Sequence, residues 1–312
     1  MSSPSVSVVI PVYRAAEYVG EAVRSALAEP ETLEVILVED GSDDGSLEVC
    51  RRLAEDARVR LFTHDDGANR GAAASRNLAI SHAEGRTVAF LDADDWFLPG
   101  RLSGPVAVLE ADPAIDGVYD AVGVEFETDE AREEWQSSMG GGDLTTMNRR
   151  VAADDLLSAI LLEGAGMFCT DGVVVRRSVF DRVGLFRTDL RVAEDTEMWW
   201  RLAAACRLVP GSLESAVAVR RRHGKNTLTP ENPERVGAGF RAALSVYRWG
   251  RKMRLPPEKR LVLLRALLGA VLMGGGRTGR LLRSLAACPW LPATREFWRV
   301  TGGRLRRGGR KV

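Results

Sequence analysis

Over the first hundred positions, runs of apolar β-branched residues alternate with stretches whose apolar residues recur at helical spacing. VSVVIP at 6–11 is a continuous apolar run, suited to a strand buried on both faces, and 17–27 has the helical period. LEVILV at 33–38 predicts a second strand, ending at the turn cluster Glu39-Asp40-Gly41-Ser42, with Asp43 and Ser46 as candidate caps for a helix over 47–56. A third strand is predicted over 59–63, a helix over 72–83 and a fourth strand over 87–91, which runs into Asp92-Ala93-Asp94-Asp95. Strands separated by helices specify a mostly parallel sheet with flanking helices, an α/β architecture. Open sheets of this kind bind ligands beyond the carboxyl ends of their strands. Three of the four predicted ends carry polar or special residues there: Pro11-Val12-Tyr13, Glu39 to Ser42, and Asp92-Ala93-Asp94.

The pattern then loosens. Positions 128–150 are polar, include Gly140-Gly141-Gly142 and show no period, which predicts a mobile surface loop that substrate would order. Beyond it the spacing predicts a helix over 153–162, a strand over 172–175, a short helix over 178–183 and a helix over 196–205 that opens directly after Glu194-Asp195. After Pro233 the chain reads as helical and basic, with breaks at Pro256-Pro257, at 274–276 and around Pro289. No internal repeat is visible.

Composition excludes a disordered chain: of 312 residues 45% are hydrophobic and 28% charged, and 31 glycines without a fixed period exclude a collagen-like repeat. The formal net charge of zero conceals an asymmetry. Residues 1–234 hold 24 basic and 41 acidic side chains, whereas 235–312 hold 19 and 2. An acidic body with a basic tail points to an anionic partner for the tail. The apolar runs LVLLRALLGAVLM and CPWLPA, with Trp290 and Trp298 nearby, favour a membrane surface over a nucleic acid, and no nucleic acid is expected. The alternative is a helical subdomain that packs its leucine face on the acidic body.

Cys50, Cys169, Cys206 and Cys288 are widely spaced with no C-x-x-C, which reads as thiols in a reducing compartment. The N-terminus lacks the basic region of a signal peptide, and the apolar stretch 261–273 is interrupted by Arg265 and short of the ~20 residues of a spanning helix. The expected location is therefore cytoplasmic, peripheral on the inner face of the cell membrane.

Four segments carry candidate chemistry. FLDADD at 90–95 places two carboxylates at period two after a strand, which suits oxygen ligation of a divalent ion that in turn holds phosphates. VEDGSDDGS at 38–46, Glu194-Asp195 before TEMWWRL, and RRRHGKNT at 220–227 are the others. Each taken alone also reads as a turn, a helix cap or a solvated loop. There is no G-x-x-x-x-G-K-[ST] and no G-x-G-x-x-G opening the first helix, so a Walker-type nucleotidase and an NAD-binding protein are poor readings. A sugar nucleotidyltransferase would also use acidic metal ligands but would not need Glu194-Asp195. A non-catalytic nucleotide-sugar-binding protein is disfavoured because every motif carboxylate is intact.

Taken in order, VSVVIPVYRAAEYVGEAVRSAL, VEDGSDDGS, NRGAAASRNLAI, FLDADDWFLPGRL, VGLFRTDLRVAEDTEMWWRLA and RRRHGKNTL resemble the family 2 glycosyltransferases. These are inverting enzymes of the GT-A, Rossmann-like fold. The resemblance runs from Val6 to about Leu228 and leaves the tail uncovered. It implies a hexosyl-type, metal-dependent transferase that takes a nucleotide-diphospho-sugar donor and a glycan or lipid-linked acceptor in cell-surface polysaccharide or glycolipid synthesis. It also implies a catalytic domain over 1–234, with a nucleotide-sugar half over 1–119 and an acceptor half over 120–234; the basic helical region 235–312 is set apart by its charge and helical pattern.

Residue by residue, the resemblance implies that Pro11 and Tyr13 line the base pocket and that Asp40 hydrogen-bonds the base. Arg76 would face the nucleotide and its phosphates, and Asp92 the ribose. In the D-x-D formed by Asp92, Ala93 and Asp94, Asp94 would ligate Mg²⁺ or Mn²⁺, with His223 adding a metal or diphosphate contact, and Asp195 would be the catalytic base. Where the family commonly has Asp-Asp-Gly-Ser this chain has Glu39-Asp40-Gly41-Ser42, a change that bears on base preference.

Overall fold

A computed structural model describes residues 5–139, 142–223 and 237–273. The strands β1 (Val6–Val12), β2 (Thr32–Glu39), β3 (Val59–Thr63) and β4 (Thr87–Phe90) are where the apolar runs place them, with helices α1 (Val19–Leu27), α2 (Ser46–Leu53) and α3 (Ala72–His82) between them. Further along lie β5 (Trp96–Phe97), α4 (Ser103–Ala111), β6 (Gly117–Tyr119), β7 (Val122–Phe126), α5 (Asp129–Met139), β8 (Leu144–Thr145), α6 (Leu156–Leu162) and β9 (Val173–Arg176). They are followed by α7 (Val179–Val183), α8 (Glu194–Ala205), β10 (Leu208–Pro210), β11 (Ala218–Arg222), α9 (Ala238–Lys252) and α10 (Pro257–Met273).

Seven strands form one sheet in the order β10-β6-β9-β4-β1-β2-β3, and a smaller sheet has the order β5-β11-β7-β8. The large sheet is mostly parallel; β9 runs antiparallel to both β4 and β6. Both faces are covered, and the period of two sorts side chains between them. Val8, Ile10, Val35 and Leu37 pack under α1 and α2, whereas Val9, Ile36, Val38 and Phe90 face the core built with α6 and α8.

Helices α9 and α10 belong to that second core. Ala243, Val246 and Tyr247 of α9 and Leu263, Leu264 and Leu267 of α10 are buried in it. Gly250 lets the two helices close up, since a Cβ there would lie 2.8 Å from a Leu263 methyl. Helix α10 begins at Pro257, where a missing N–H costs nothing, so the Pro256-Pro257 break is a helix start. Of the two alternatives for the leucine-rich run, packing on the body is the one found over 238–273. The breaks at 274–276 and Pro289, Trp290 and Trp298, and Cys288 lie outside the described residues.

Three local readings need correction. Positions 128–150 are not a loop without regular structure: their described residues hold α5 and β8, and Met147 pairs with Gly166. The sequence DEAREEWQSSM consists largely of helix formers, opens on acids that suit the helix dipole, and has the Thr128 hydroxyl accepting the Ala131 N–H. Among its described side chains the buried one is Trp135, which packs on the Phe126 ring and donates to the Gly142 carbonyl, while Arg132 lies over the same Phe126 ring; one buried position leaves no periodic stripe to read. At α2, Asp43 pairs with Arg14 instead of capping; Asp44 accepts the Ser46 N–H, and the Ser46 hydroxyl takes the Ala15 N–H. Lastly, α8 begins at Glu194, so the Glu194-Asp195 pair forms its first turn instead of preceding it.

Buried Cys50 and Cys206 have thiols that burial pushes up to about 12 and about 11, so these sulfurs are inert packing groups.

Candidate active site

The carboxyl ends of β1, β2 and β4 bring the first group of candidates together. Past β1, Tyr13 is 44% exposed, and Arg14 lies over its ring in a left-handed conformation with φ of 50°. Pro11 is half-buried in β1 itself. Past β2, Asp40 is buried and both its carboxylate oxygens are taken by main chain, from the N–H groups of Arg70 (2.7 Å) and Gly71 (2.8 Å), with His64 Nε2 at 3.3 Å. Asp40 thus ties the 64–71 loop and the start of α3 to the end of β2. Gly41 makes the close approach possible: its φ is 74°, and a Cβ would come within 2.6 Å of the Gly67 carbonyl.

Strand β4 stops at Phe90, so the D-x-D lies on a turn in which the Asp95 N–H bonds the Asp92 carbonyl. The turn aims the two acids at different partners instead of side by side. Asp92 Oδ1 accepts from Arg76 (2.7 Å), and Asp94 Oδ2 lies 3.0 Å from His223 Nε2. His223 is delivered by β11, which pairs antiparallel with β5 just past the turn, and its ring stacks on Tyr18. Arg221 locks this junction by donating to the Asp94 carbonyl, while the Asp95 carboxylate accepts the Arg221 N–H.

Arg76, on α3, is buried and joins two sides of the site. It donates to Asp92 and, at 2.9 Å, to Glu194 Oε1 in the first turn of α8, with the Phe186 ring beneath it. Burial opposes its charge, but the carboxylates of Asp92, Glu194 and Asp195 outweigh that and raise its pKa. Burial, then the Asp195 charge, pushes Glu194 up to about 7 against the pull of Arg76. Burial likewise raises Asp92 to about 6. Asp195 itself is half-buried at the helix start, after Ala193 in a left-handed conformation.

Three further charged residues to which the motifs assign no role, Asp171, Asp95 and Arg220, stand beside these. Ligand atoms of Asp92, Asp95 and Asp171 lie within 4.8 Å of one another, Asp171 accepts the Asp92 N–H, and burial holds Asp95 well above the usual carboxylate range. Arg220 stands against all three carboxylates and against Cys169. Asp171 precedes β9, and only because β9 is antiparallel does its beginning meet the end of β4. The available signal was the acid of T-D-G directly before VVV.

These shifts have a consequence for stability. Between pH 4.5 and about 7 the native state keeps a proton on Glu194 that the unfolded chain has released, and Asp92 behaves alike from 3.8 to about 6. Stability carried by these protons is full below the lower values and is lost as pH rises through the higher ones. The urea midpoint should therefore fall between about pH 5 and about pH 8, and less steeply in Glu194→Gln. Parallel curves for the two proteins would contradict this.

A GT-A glycosyltransferase has this combination of a mostly parallel sheet and acidic turns at its carboxyl edge, and solved structures of that fold resemble the chain. S. aureus TarS 1-349 matches with a TM-score of 0.61 at 17% identity, covering 94% of this chain and 80% of that one. The mannosyltransferase PcManGT from Pyrobaculum calidifontis, in complex with GDP-Man and Mn2+, matches with a TM-score of 0.52 at 20% identity, covering 97% and 84%. The family description "Glycosyl transferase family 2" matches residues 7–184, and the chain belongs to that family. Among curated relatives, the succinoglycan biosynthesis protein ExoU of Rhizobium meliloti (strain 1021) is 46% identical over 97 residues, 31% of this chain and 28% of ExoU. The uncharacterized glycosyltransferase alr2836 of Nostoc sp. is 31% identical over 187 residues, 57% of this chain and 52% of alr2836. The matches thus span about a quarter to half of these relatives' lengths.

Proposed function

We propose that the chain transfers a sugar from a nucleotide-diphospho-sugar to a hydroxyl of a glycan or lipid-linked acceptor, with inversion, in cell-surface polysaccharide or glycolipid synthesis. The observation that carries this reading is the convergence, at one sheet edge, of the Asp94–His223 pair with the Asp92–Arg76–Glu194 bridge that leads to Asp195. Residues 1–119 form the donor half and 120–234 the acceptor half, with α9 and α10 completing the core of the latter. ExoU's role in succinoglycan biosynthesis and the UDP-GlcNAc and GDP-Man complexes of the structural neighbours support the polysaccharide and donor readings.

One carboxylate oxygen and one imidazole nitrogen 3.0 Å apart, both on partly buried side chains, are a donor set that fits a divalent cation. Mg²⁺ or Mn²⁺ held by Asp94 and His223 would supply positive charge against the leaving diphosphate. The chain's own residues do the rest. Tyr13, with the loop that Asp40 holds, borders the base; Arg76 fixes Asp92 for the ribose; and Asp195 takes the proton of the attacking acceptor hydroxyl. In-line attack then gives a β-linked product from an α-linked donor without a covalent sugar-enzyme intermediate.

The test is thermal shift with a panel of UDP-, GDP- and dTDP-sugars, each with and without Mn²⁺. One nucleotide class should raise the melting temperature, more with metal, and Asp94→Ala should abolish the metal-dependent part. If Asp94→Ala binds donor and metal like wild type, Asp94 is only a turn residue.

The basic C-terminal region is read as the contact with an anionic membrane surface. Lys252 on α9, Arg265 on α10 and Arg254 in the turn between them are exposed, and the sequence beyond 273 adds further basic residues. Among the described residues no helix is long and apolar enough to cross a membrane. Flotation should show binding to anionic but not neutral vesicles, weakened by salt and reduced on removal of 274–312. Protein that stays unbound at low salt would leave the region with its packing role alone.

A further inference from the structure

Helix α8 presents Asp195 from its first turn, yet that turn has little local support. Its N-cap, Ala193, is a non-glycine residue in the left-handed region (φ 64°) and offers no side-chain cap. Besides the Glu194–Arg76 bridge, what fixes the turn is on the inner side of the helix. Glu197 stands two positions after Asp195, roughly 200° around the helix, and is fully buried. Its Oε2 accepts from Arg201 Nε (2.9 Å) and lies 2.7 Å from Arg201 Nη2, and its Oε1 accepts from the Ser245 hydroxyl (2.7 Å). The Glu197 N–H closes the first helical turn on the Ala193 carbonyl.

Arg201 spends its other donors on the carbonyls of Val183 (2.7 Å) and Leu185 (2.9 Å). The chain continues there into Phe186, which is clamped to α3 by the Asn77 side-chain amide, whose Nδ2 donates to the Phe186 carbonyl and whose Oδ1 accepts the Phe186 N–H, and which lies under Arg76. One buried ion pair therefore holds both the turn that carries Asp195 and the turn that backs Arg76. Ser245 belongs to α9, beyond the family match at 7–184. A buried ion pair stabilises a fold little, and its best use is to fix one arrangement among several packings.

We propose that Glu197, Arg201 and Ser245 are positioning residues for Asp195, so that helix α9 sets the geometry of the base. This rests on the reading of Asp195 as base. Ser245→Ala removes the α9 link and leaves the ion pair. It should raise amide hydrogen exchange across 194–201 and lower kcat for donor turnover about tenfold at unchanged donor KM, the pattern of an interaction realised mainly in the transition state. Ser245→Thr, which keeps the hydroxyl, should restore both.

Turnover is read as sugar release from the nucleotide sugar that the thermal-shift panel selects. Unchanged exchange in Ser245→Ala, or raised exchange with wild-type kcat, would overturn the proposal. If the wild-type protein releases no sugar from any donor, the transferase reading fails instead. The exchange measurement then still decides the brace: raised exchange across 194–201 keeps it, and unchanged exchange removes it.

Discussion

Asp195→Asn should lower turnover by about 10²-fold or more at an unchanged melting temperature and with nearly unchanged donor binding. The substitution keeps the size of the side chain and its ability to accept a hydrogen bond at a helix start, but an amide does not take the acceptor proton. In the native protein Asp195 is one of two adjacent acids in the first turn of α8, and the inner one, Glu194, is engaged with Arg76. That pairing leaves Asp195 as the acid of the two without an Arg76 hydrogen bond, on the first turn of α8. The expected pattern is a loss in kcat, read from initial rates over a range of donor concentrations. Wild-type rates in Asp195→Asn would move the base elsewhere, and a large drop in melting temperature would mean that the residue serves the fold.

The largest effect on stability is expected at Arg101. Its side chain is 0% exposed and that of its partner Asp120 2%, with Arg101 Nη1 donating to Asp120 Oδ2 at 3.0 Å and Nε to the Asp171 carbonyl at 3.0 Å. Asp120 also accepts the Ser212 N–H at 2.7 Å, so the pair ties the turn before α4, the end of β6 and the turn after β10 to the residue beside Asp92. Arg101→Met preserves much of the volume but strands a buried carboxylate, which costs about 3 to 5 kcal/mol. Adding Asp120→Asn to that variant should recover part of the loss, since the uncompensated charge is then gone. Urea denaturation measures both. A loss under about 1 kcal/mol for Arg101→Met would show that water reaches the site on substitution.

The buried parallel strands were legible because a strand covered on both faces is a continuous apolar run, and β1 to β4 follow theirs to within a residue or two. The acids at their ends were legible for the same reason, since a turn must follow each run. Asp171 was not, because reading it requires knowing that β9 runs against its neighbours, and strand direction leaves no mark in periodicity. Arg220 was hidden similarly: within RRRH nothing distinguishes the arginine that faces Asp95 and Asp171 from Arg221, which holds the Asp94 carbonyl. Helix α5 was missed because, among its described side chains, Trp135 is the buried one, and one buried position leaves no period to read. Residues 238–273 looked like a tail because their basic charge is conspicuous in sequence, whereas the leucines that join them to the core are ordinary in number and only their packing reveals the attachment.

Inverting transfer with Asp195 as base is tested most directly by following, in real time by NMR, the sugar released when the protein hydrolyses an α-linked nucleotide sugar with Mn²⁺ present and water as the acceptor. In-line displacement assisted by Asp195 predicts that the β-anomer appears first and mutarotates later, and that Asp195→Asn suppresses its appearance. An α-anomer formed first, or no sugar released from any of the UDP-, GDP- and dTDP-linked donors, would contradict it.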